Sequence, residues 1–122
     1  MLMKKILIVD DANYFRKKTE KFLMNNGFTV VMAENGEQAI KKYKEESPDL
    51  VLMDITMPEI DGITATKIII EYDSQAKVCM LSCMGQGHII EACREAGADD
   101  FIEKPYDDDK LLAYLKRTLE EI

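Results

Sequence analysis

Residues 6–11 read ILIVDD, a short apolar run that ends in two acids, and residues 50–54 read LVLMD, which repeats the pattern. Both runs are continuously apolar and do not alternate with polar residues. This is typical of strands that are buried on both faces of a parallel sheet. The two stretches therefore predict a parallel sheet whose central strands end in carboxylates.

Three further segments with apolar, often β-branched centres complete a set of five predicted strands. The five are Lys4–Asp10, Phe28–Glu34, Asp49–Asp54, Lys77–Ser82 and Asp99–Glu103. Between them, apolar residues recur at helical spacing. The order βαβαβαβαβα predicts an open parallel sheet with helices on both faces and right-handed crossovers.

The predicted helices have recognisable ends and apolar faces. Caps are expected at Asn35, Asp61 and Asp107, with stops at Asn26-Gly27, Ser47-Pro48 and Gly97. A fourth helix is expected from Gln86 to Ala96. The side chains predicted to face inward are Phe15, Thr19, Phe22, Leu23, Ala39, Ile40, Tyr43, Thr66, Ile69, Ile70, Leu111, Leu112, Leu115 and Leu119.

The carboxyl ends of the strands are where sheets of this kind bind ligands. The residues expected to converge there are Asp10-Asp11, Glu34, Asp54, Ser82 and Lys104-Pro105. Clustered carboxylates repel one another, and burial increases the repulsion, so a divalent cation or Lys104 must offset their charge. Hard oxygen ligands suit Mg²⁺, with Mn²⁺ as the alternative ion.

Asp54 is the candidate nucleophile of this site. A nearby cation would keep its carboxylate ionised, and attack on a phosphoryl group would form an acyl phosphate. The transition state carries charge on three equatorial oxygens, which a divalent cation, Lys104 and the Ser82 hydroxyl would complement.

Other phosphate sites fit the sequence poorly. There is no G-K-[ST] motif, and the first strand-to-helix turn holds acids and no glycine, which disfavours P-loop and dinucleotide sites. A haloacid-dehalogenase-type phosphatase has a second acid two residues after its nucleophile, where this chain has Thr56. Without that acid–base partner, the sequence favours a phosphate that is held rather than quickly released.

The whole chain resembles a response-regulator receiver domain, specifically a stand-alone chemotaxis regulator of the CheY type. The motifs that carry the resemblance are Ile8–Asp11, Met53–Gly62, Ser82, Ala96–Ala98 and Lys104-Pro105. It implies a flavodoxin-like (βα)5 sandwich with a five-stranded parallel sheet of order 2-1-3-4-5. It also implies that residues 1–122 form one receiver domain without an output domain.

The resemblance gives each site residue a role. Asp54 would accept a phosphoryl group from a sensor histidine kinase resembling CheA, and Ser82 and Lys104 would stabilise it. The implied metal ligands are Asp10, which acts through water, Asp11, Asp54 and the backbone carbonyl of Thr56. The side chains of Thr56 and Met84 would admit or block water and so set the lifetime of the phosphate. Pro58, Gly62 and Pro105 shape the surrounding loops.

Switching is the second implication of the resemblance. Ser82 would move toward the phosphate and Phe101 would turn inward, which remodels the face formed by helix 4, strand 5 and helix 5. The expected partner on that face is a motor-switch or adaptor protein, with a phosphatase as a further partner. We expect a monomeric signalling switch that catalyses its own phosphorylation and slow autodephosphorylation, rather than an enzyme acting on outside substrates.

Two other functions stay open at this point. The chain could be a phosphorelay intermediate that passes its phosphoryl group to a histidine-phosphotransfer protein. It could also be a small aspartate-dependent phosphatase, although Thr56 argues against rapid turnover.

Composition excludes other classes of function. With 23 acids and 16 bases the net charge is −7, which gives no electrostatic footprint for nucleic acid. Residues 99–109, here named the acidic rim, hold six acids and one lysine, which favours a partner with basic residues.

Three cysteines without a C-x-x-C pair fit neither a disulfide nor a zinc framework. The apolar runs are too short for a signal peptide or a membrane span, so we predict a cytoplasmic protein without membrane insertion.

Overall fold

The computed structural model of the chain describes residues 3–83 and 87–119. Strands and helices alternate in the predicted order. They are β1 (Lys5–Val9), α1 (Asn13–Asn25), β2 (Thr29–Ala33), α2 (Gly36–Glu46), β3 (Leu50–Asp54), α3 (Gly62–Tyr72), β4 (Val78–Ser82), α4 (Gly87–Glu95), β5 (Asp100–Glu103) and α5 (Asp108–Leu119).

All five strands form one parallel sheet in the order β2-β1-β3-β4-β5. The predicted fold class is confirmed. The strand order reverses between β1 and β3, and a crevice opens beyond their carboxyl ends at such a reversal. Val9 pairs with Met53 in the register of these two strands, so the residues that follow each of them, Asp10 and Asp54, lie side by side.

The sheet divides the core into two apolar layers. Leu7, Val51 and Met80 point to the layer covered by α2, α3 and α4, whereas Ile8 and Leu52 point to the layer covered by α1 and α5. Every residue of β3 and β4 is buried. Burial on both faces explains why these strands read as continuous apolar runs.

The predicted helix caps are confirmed by hydrogen bonds. The carboxylates of Asp61 and Asp107 accept from the backbone N–H groups of Thr64 and Lys110, at 2.8 and 2.7 Å. The side-chain oxygen of Asn35 accepts from the N–H of Gln38 at 2.8 Å. These side chains satisfy N–H groups that would otherwise have no partner at a helix start.

One residue of α5 that was predicted to face inward is only half-buried. This residue is Leu112, whereas Tyr114 is fully buried beside Leu111 and Leu115. Leu112 is adjacent to Leu111 and therefore points about 100° away from it around the helix, while Tyr114 lies three residues on, over the same face.

No helix within residues 3–83 and 87–119 combines the length and the apolar character needed to cross a membrane.

Candidate phosphoryl-acceptor and metal site

Three carboxylates meet at the carboxyl edge of the sheet, as predicted. One oxygen from each of Asp10, Asp11 and Asp54 lies within 4.8 Å of the others. Asp10 is 2% exposed and Asp54 is 8% exposed, while Asp11 is open to solvent. The cluster therefore has a buried floor and an accessible mouth, which suits a ligand that arrives from solution.

Lys104 supplies the positive charge of the cluster. Its Nζ donates to Asp10 Oδ2 at 3.0 Å and lies 3.7 Å from Asp54 Oδ1. The backbone N–H of Lys104 donates to the carbonyl oxygen of Ser82 at 2.8 Å, which ties the β5–α5 loop to the end of β4. The peptide bond between Lys104 and Pro105 is cis.

The charge of the cluster is only partly balanced. Burial raises the pKa of Asp54 to about 6, the neighbouring Lys104 lowers it, and the charges of Asp10 and Asp11 raise it again. Three carboxylates beside one ammonium leave an excess of negative charge. A divalent cation is the group that this set of hard oxygen ligands fits.

Asp54 therefore makes the metal-free protein less stable at neutral pH. Its pKa is higher in the folded chain than in the unfolded chain, so ionising it lowers the unfolding free energy. This loss is absent below about pH 4, where the carboxyl is protonated in both states, and is complete above about pH 6, where it is ionised in both. Relative to wild type, Asp54→Asn should gain about 2–3 kcal/mol of unfolding free energy as the pH rises across that range. Urea unfolding in the presence of a chelator measures this gain.

The control for this experiment is Glu45→Gln, which removes an exposed acid from α2. Its stability difference from wild type should change little over the same pH range. A difference between Asp54→Asn and wild type that stays constant from pH 4 to pH 7 would contradict the assigned pKa.

Arg16 is a site residue that the sequence did not reveal. Its guanidinium is buried and donates from Nη1 to the carbonyl oxygen of Asp10 at 2.6 Å and from Nη2 to Asn13 Oδ1 at 2.9 Å. The turn is also held by the N–H of Ala12, which donates to Asp10 Oδ1 at 2.8 Å. A charged residue among the lysines of a surface helix gives no signal of this inward role.

Glu34 does not join the carboxylate cluster. It follows β2 as predicted, but its carboxylate is exposed and lies 4.0 Å from Arg16 Nη2. The reason is topological, because β2 is an edge strand and β1 separates it from β3. The prediction that all the strand-ending acids meet is wrong for this one.

Gly62 allows α3 to start directly against the site. Its N–H donates to the carbonyl oxygen of Ile55 at 2.8 Å, and a Cβ at this position would overlap the carbonyl oxygen of Asp54. Glycine is required here because two backbones approach closely. Pro58 and Thr56 are exposed in the same β3–α3 loop, where Glu59 has a φ of 66°.

The proposed switch residues lie on the two strands beyond β3. Ser82 ends β4 and is 2% exposed, and Phe101 is half-buried on β5. Phe101 lines a cavity of about 270 Å³, together with Ile90, Cys93 and Ala98. Met84, which was predicted to tune water access, lies outside the described residues.

The family of the chain follows from comparison with known proteins. Residues 6–116 match the family model of the response regulator receiver domain. The chain belongs to the response regulator receiver family. Its acids Asp10, Asp11 and Asp54 cluster as in a receiver metal site.

Several relatives of this receiver are chemotaxis proteins. It is 54% identical to the chemotaxis protein CheY of Bacillus subtilis over 116 residues, which are 94% of this chain and 97% of that relative. It is 43% identical to CheY of Thermotoga maritima over 115 residues, 93% of this chain and 96% of the relative. The receiver is therefore a CheY-like chemotaxis regulator.

Solved structures agree with this assignment. A chain in the CheX–CheY–BeF3–Mg complex from Borrelia burgdorferi is 37% identical, with a TM-score of 0.89, and the match covers 94% of this chain and 88% of that one. A CheY-like receiver domain protein from Methanospirillum hungatei is 28% identical, with a TM-score of 0.93, over 98% of this chain and 96% of that one.

Proposed function

We propose that this receiver is a phospho-acceptor switch in which Asp54 takes a phosphoryl group from a sensor histidine kinase resembling CheA. The observation that carries the proposal is the cluster of Asp10, Asp11 and Asp54 with the Lys104 ammonium 3.0 Å from Asp10 and 3.7 Å from Asp54. A nucleophilic carboxylate, a group of acids suited to a cation and a fixed ammonium are the parts that phosphoryl transfer to an aspartate needs.

Mg²⁺ is the proposed cofactor, with Mn²⁺ as the alternative ion. Asp10, Asp11, Asp54 and the backbone carbonyl of Thr56 would hold it, Asp10 through water, and the exposed Asp11 leaves the mouth open for waters and a phosphate. When bound, the ion supplies positive charge that offsets the carboxylates and the transferring phosphoryl oxygens.

The chemical step is a displacement at phosphorus. An Oδ of Asp54 attacks the phosphorus of the donor and a P–O bond forms. The bond from phosphorus to the donor's leaving atom breaks, and its electron pair stays with the donor, which leaves as acetate from acetyl phosphate or, from a phosphohistidine, as an imidazole that takes a proton from water. Lys104 and the Ser82 hydroxyl would contact the phosphoryl oxygens. Thr56 gives no acid or base for rapid hydrolysis, which supports slow autodephosphorylation of the acyl phosphate.

Partner binding is the proposed output of the switch. Phe101 adjoins a cavity between α4 and β5, so its ring has space to change position when Ser82 engages the phosphate. The face of α4, β5 and α5 would then bind a motor-switch or adaptor protein of chemotaxis. All six acids of the acidic rim are exposed, which supports a contact with basic residues.

The test is transfer from a small phosphodonor. With Mg²⁺ and acetyl phosphate, the wild-type chain should gain one phosphoryl group by intact-protein mass spectrometry, and Asp54→Asn should gain none. Omitting Mg²⁺ should reduce the gain to background. If Asp54→Asn is phosphorylated as readily as wild type, the acceptor assignment is wrong.

A second assay separates this function from a phosphorelay role. Phosphorylated protein is mixed with a histidine-phosphotransfer domain, and the label on each partner is followed with time. Label that stays on the receiver until it hydrolyses supports a terminal switch, whereas rapid transfer to the second protein supports a relay intermediate.

A further inference from the structure

The Lys104 ammonium has an aromatic contact as well as its carboxylate contacts. Its Nζ lies 4.2 Å from the centroid of the Phe15 ring, over the ring face. We propose that Phe15 is the positioning residue for Lys104 and holds the ammonium beside Asp10 and Asp54 when a divalent cation occupies the acids. This inference rests on the proposed function and adds a residue to its machinery.

The Phe15 ring is itself held in place. It packs perpendicular to the Tyr106 ring, with an interplanar angle of 88° and 6.0 Å between centroids. Both rings pack against the apolar layer under α1 and α5. Tyr106 lies two residues after Lys104 in the same loop, so the contact joins the start of α1 to the segment that carries the lysine.

An aromatic face suits this task because it attracts an ammonium without competing for the metal. The negative face of the ring stabilises a cation above it, and the effect grows with partial desolvation. The Lys104 side chain is 23% exposed and therefore partly desolvated. A hard divalent cation takes oxygen ligands, so it would compete with Lys104 for Asp10 and Asp54 but not for the ring.

The ring contact determines where the Lys104 ammonium lies once a divalent cation is bound to the acids. A divalent charge on the carboxylates would weaken both ion pairs of Lys104 and repel its ammonium toward solvent. The ring contact is unaffected by that competition for ligands. It therefore keeps the ammonium near Asp54, where the incoming phosphoryl group would meet it.

The first test is spectroscopic and requires no phosphorylation. Protons on the ε-carbon of Lys104 should resonate upfield of the other lysines because the Nζ bonded to that carbon lies over the Phe15 ring, and the shift should persist when Mg²⁺ is added. Phe15→Leu should abolish the shift. An unshifted Lys104 in the wild-type chain, or a shift that disappears on adding Mg²⁺, would overturn the proposal.

The second test is kinetic. At saturating Mg²⁺, phosphorylation of Phe15→Leu by acetyl phosphate should be about five-fold slower than that of wild type, because an apolar side chain without a π face replaces the ring. Phe15→Tyr keeps the ring and should restore most of the rate. The matched control is Phe22→Leu, since Phe22 is half-buried on the same helix and packs against the same apolar layer.

The outcomes separate positioning from packing. If Phe15→Leu slows the reaction no more than Phe22→Leu does, or if Phe15→Tyr is as slow as Phe15→Leu, the ring has no positioning role and the proposal fails. A wild-type chain that takes up no phosphoryl group defeats the proposed function instead, while the spectroscopic test still decides whether Phe15 holds Lys104.

Discussion

Lys104→Met should slow phosphorylation of Asp54 by about a hundred-fold or more, which is the loss typical of removing one preorganised donor from a developing oxyanion. Methionine keeps much of the length of the side chain but removes the ammonium that lies 3.0 Å from Asp10 and 3.7 Å from Asp54. Without that charge, the ion pairs with Asp10 and Asp54 are lost, and the cation must offset more of the charge of the three carboxylates. The rate from acetyl phosphate at saturating Mg²⁺ measures the effect.

The same substitution should also change how Asp54 titrates. Lys104 is the main group that lowers the pKa of Asp54 against the effect of burial, so in Lys104→Met this pKa should rise above its wild-type value of about 6. Carbon NMR of the Asp54 carboxyl in metal-free protein follows this titration directly.

The matched control for Lys104 is Lys110→Met, an exposed position in the first turn of α5. It removes the same charge and leaves the cluster untouched, so its phosphorylation rate should remain within about two-fold of wild type. If Lys110→Met and Lys104→Met slow the reaction equally, the effect of Lys104 is one of net charge and its assigned contacts are irrelevant.

Gly62→Ala should be the most damaging of the small substitutions around the site. The new Cβ would overlap the carbonyl oxygen of Asp54, and neither atom can rotate away, because the position of a Cβ is fixed by its backbone and the oxygen is a backbone atom. Either the start of α3 or the end of β3 must move, at a cost of about 2–4 kcal/mol in unfolding free energy. Urea unfolding measures the loss, and the rate of phosphorylation should fall with it because Asp54 is displaced.

Gly87→Ala is the control for this change. Gly87 begins α4, and a Cβ there would have no neighbour within 4 Å among the residues that the structure describes. Alanine is the better helix former, so this variant should be as stable as wild type or slightly more stable. Equal destabilisation of the two variants would show that loss of glycine flexibility, rather than the contact with Asp54, determines the effect.

The sequence predicts those parts of the site that follow from strand ends. Asp10 directly follows one continuous apolar run, and Asp54 ends another. Because the two runs form neighbouring parallel strands in register, these two acids lie together. The caps at Asn35, Asp61 and Asp107 were equally predictable, because each depends on a bond to a residue three positions along the chain.

Features that depend on how separate elements pack could not be predicted in this way. Glu34 ends a strand like the other acids, but its distance from Asp54 depends on strand order and not on its own pattern. Arg16 and Phe15 turn toward the site from the first helical turns, and their contacts join α1 to residues at the end of β1 and in the β5–α5 loop. The helical spacing of apolar residues predicts which face of α1 is buried, but it does not predict which atoms of other elements contact that face.

The measurement that tests the central claim most directly is the location of the phosphoryl group. After treatment with acetyl phosphate and Mg²⁺, borohydride reduction converts an acyl phosphate on aspartate to homoserine, and peptide mass spectrometry shows which residue has changed. Phosphorylation on Asp54 predicts homoserine at position 54 alone. Homoserine at Asp10 or Asp11, or a phosphoryl group that resists borohydride because it is on a hydroxyl or a histidine, would contradict it.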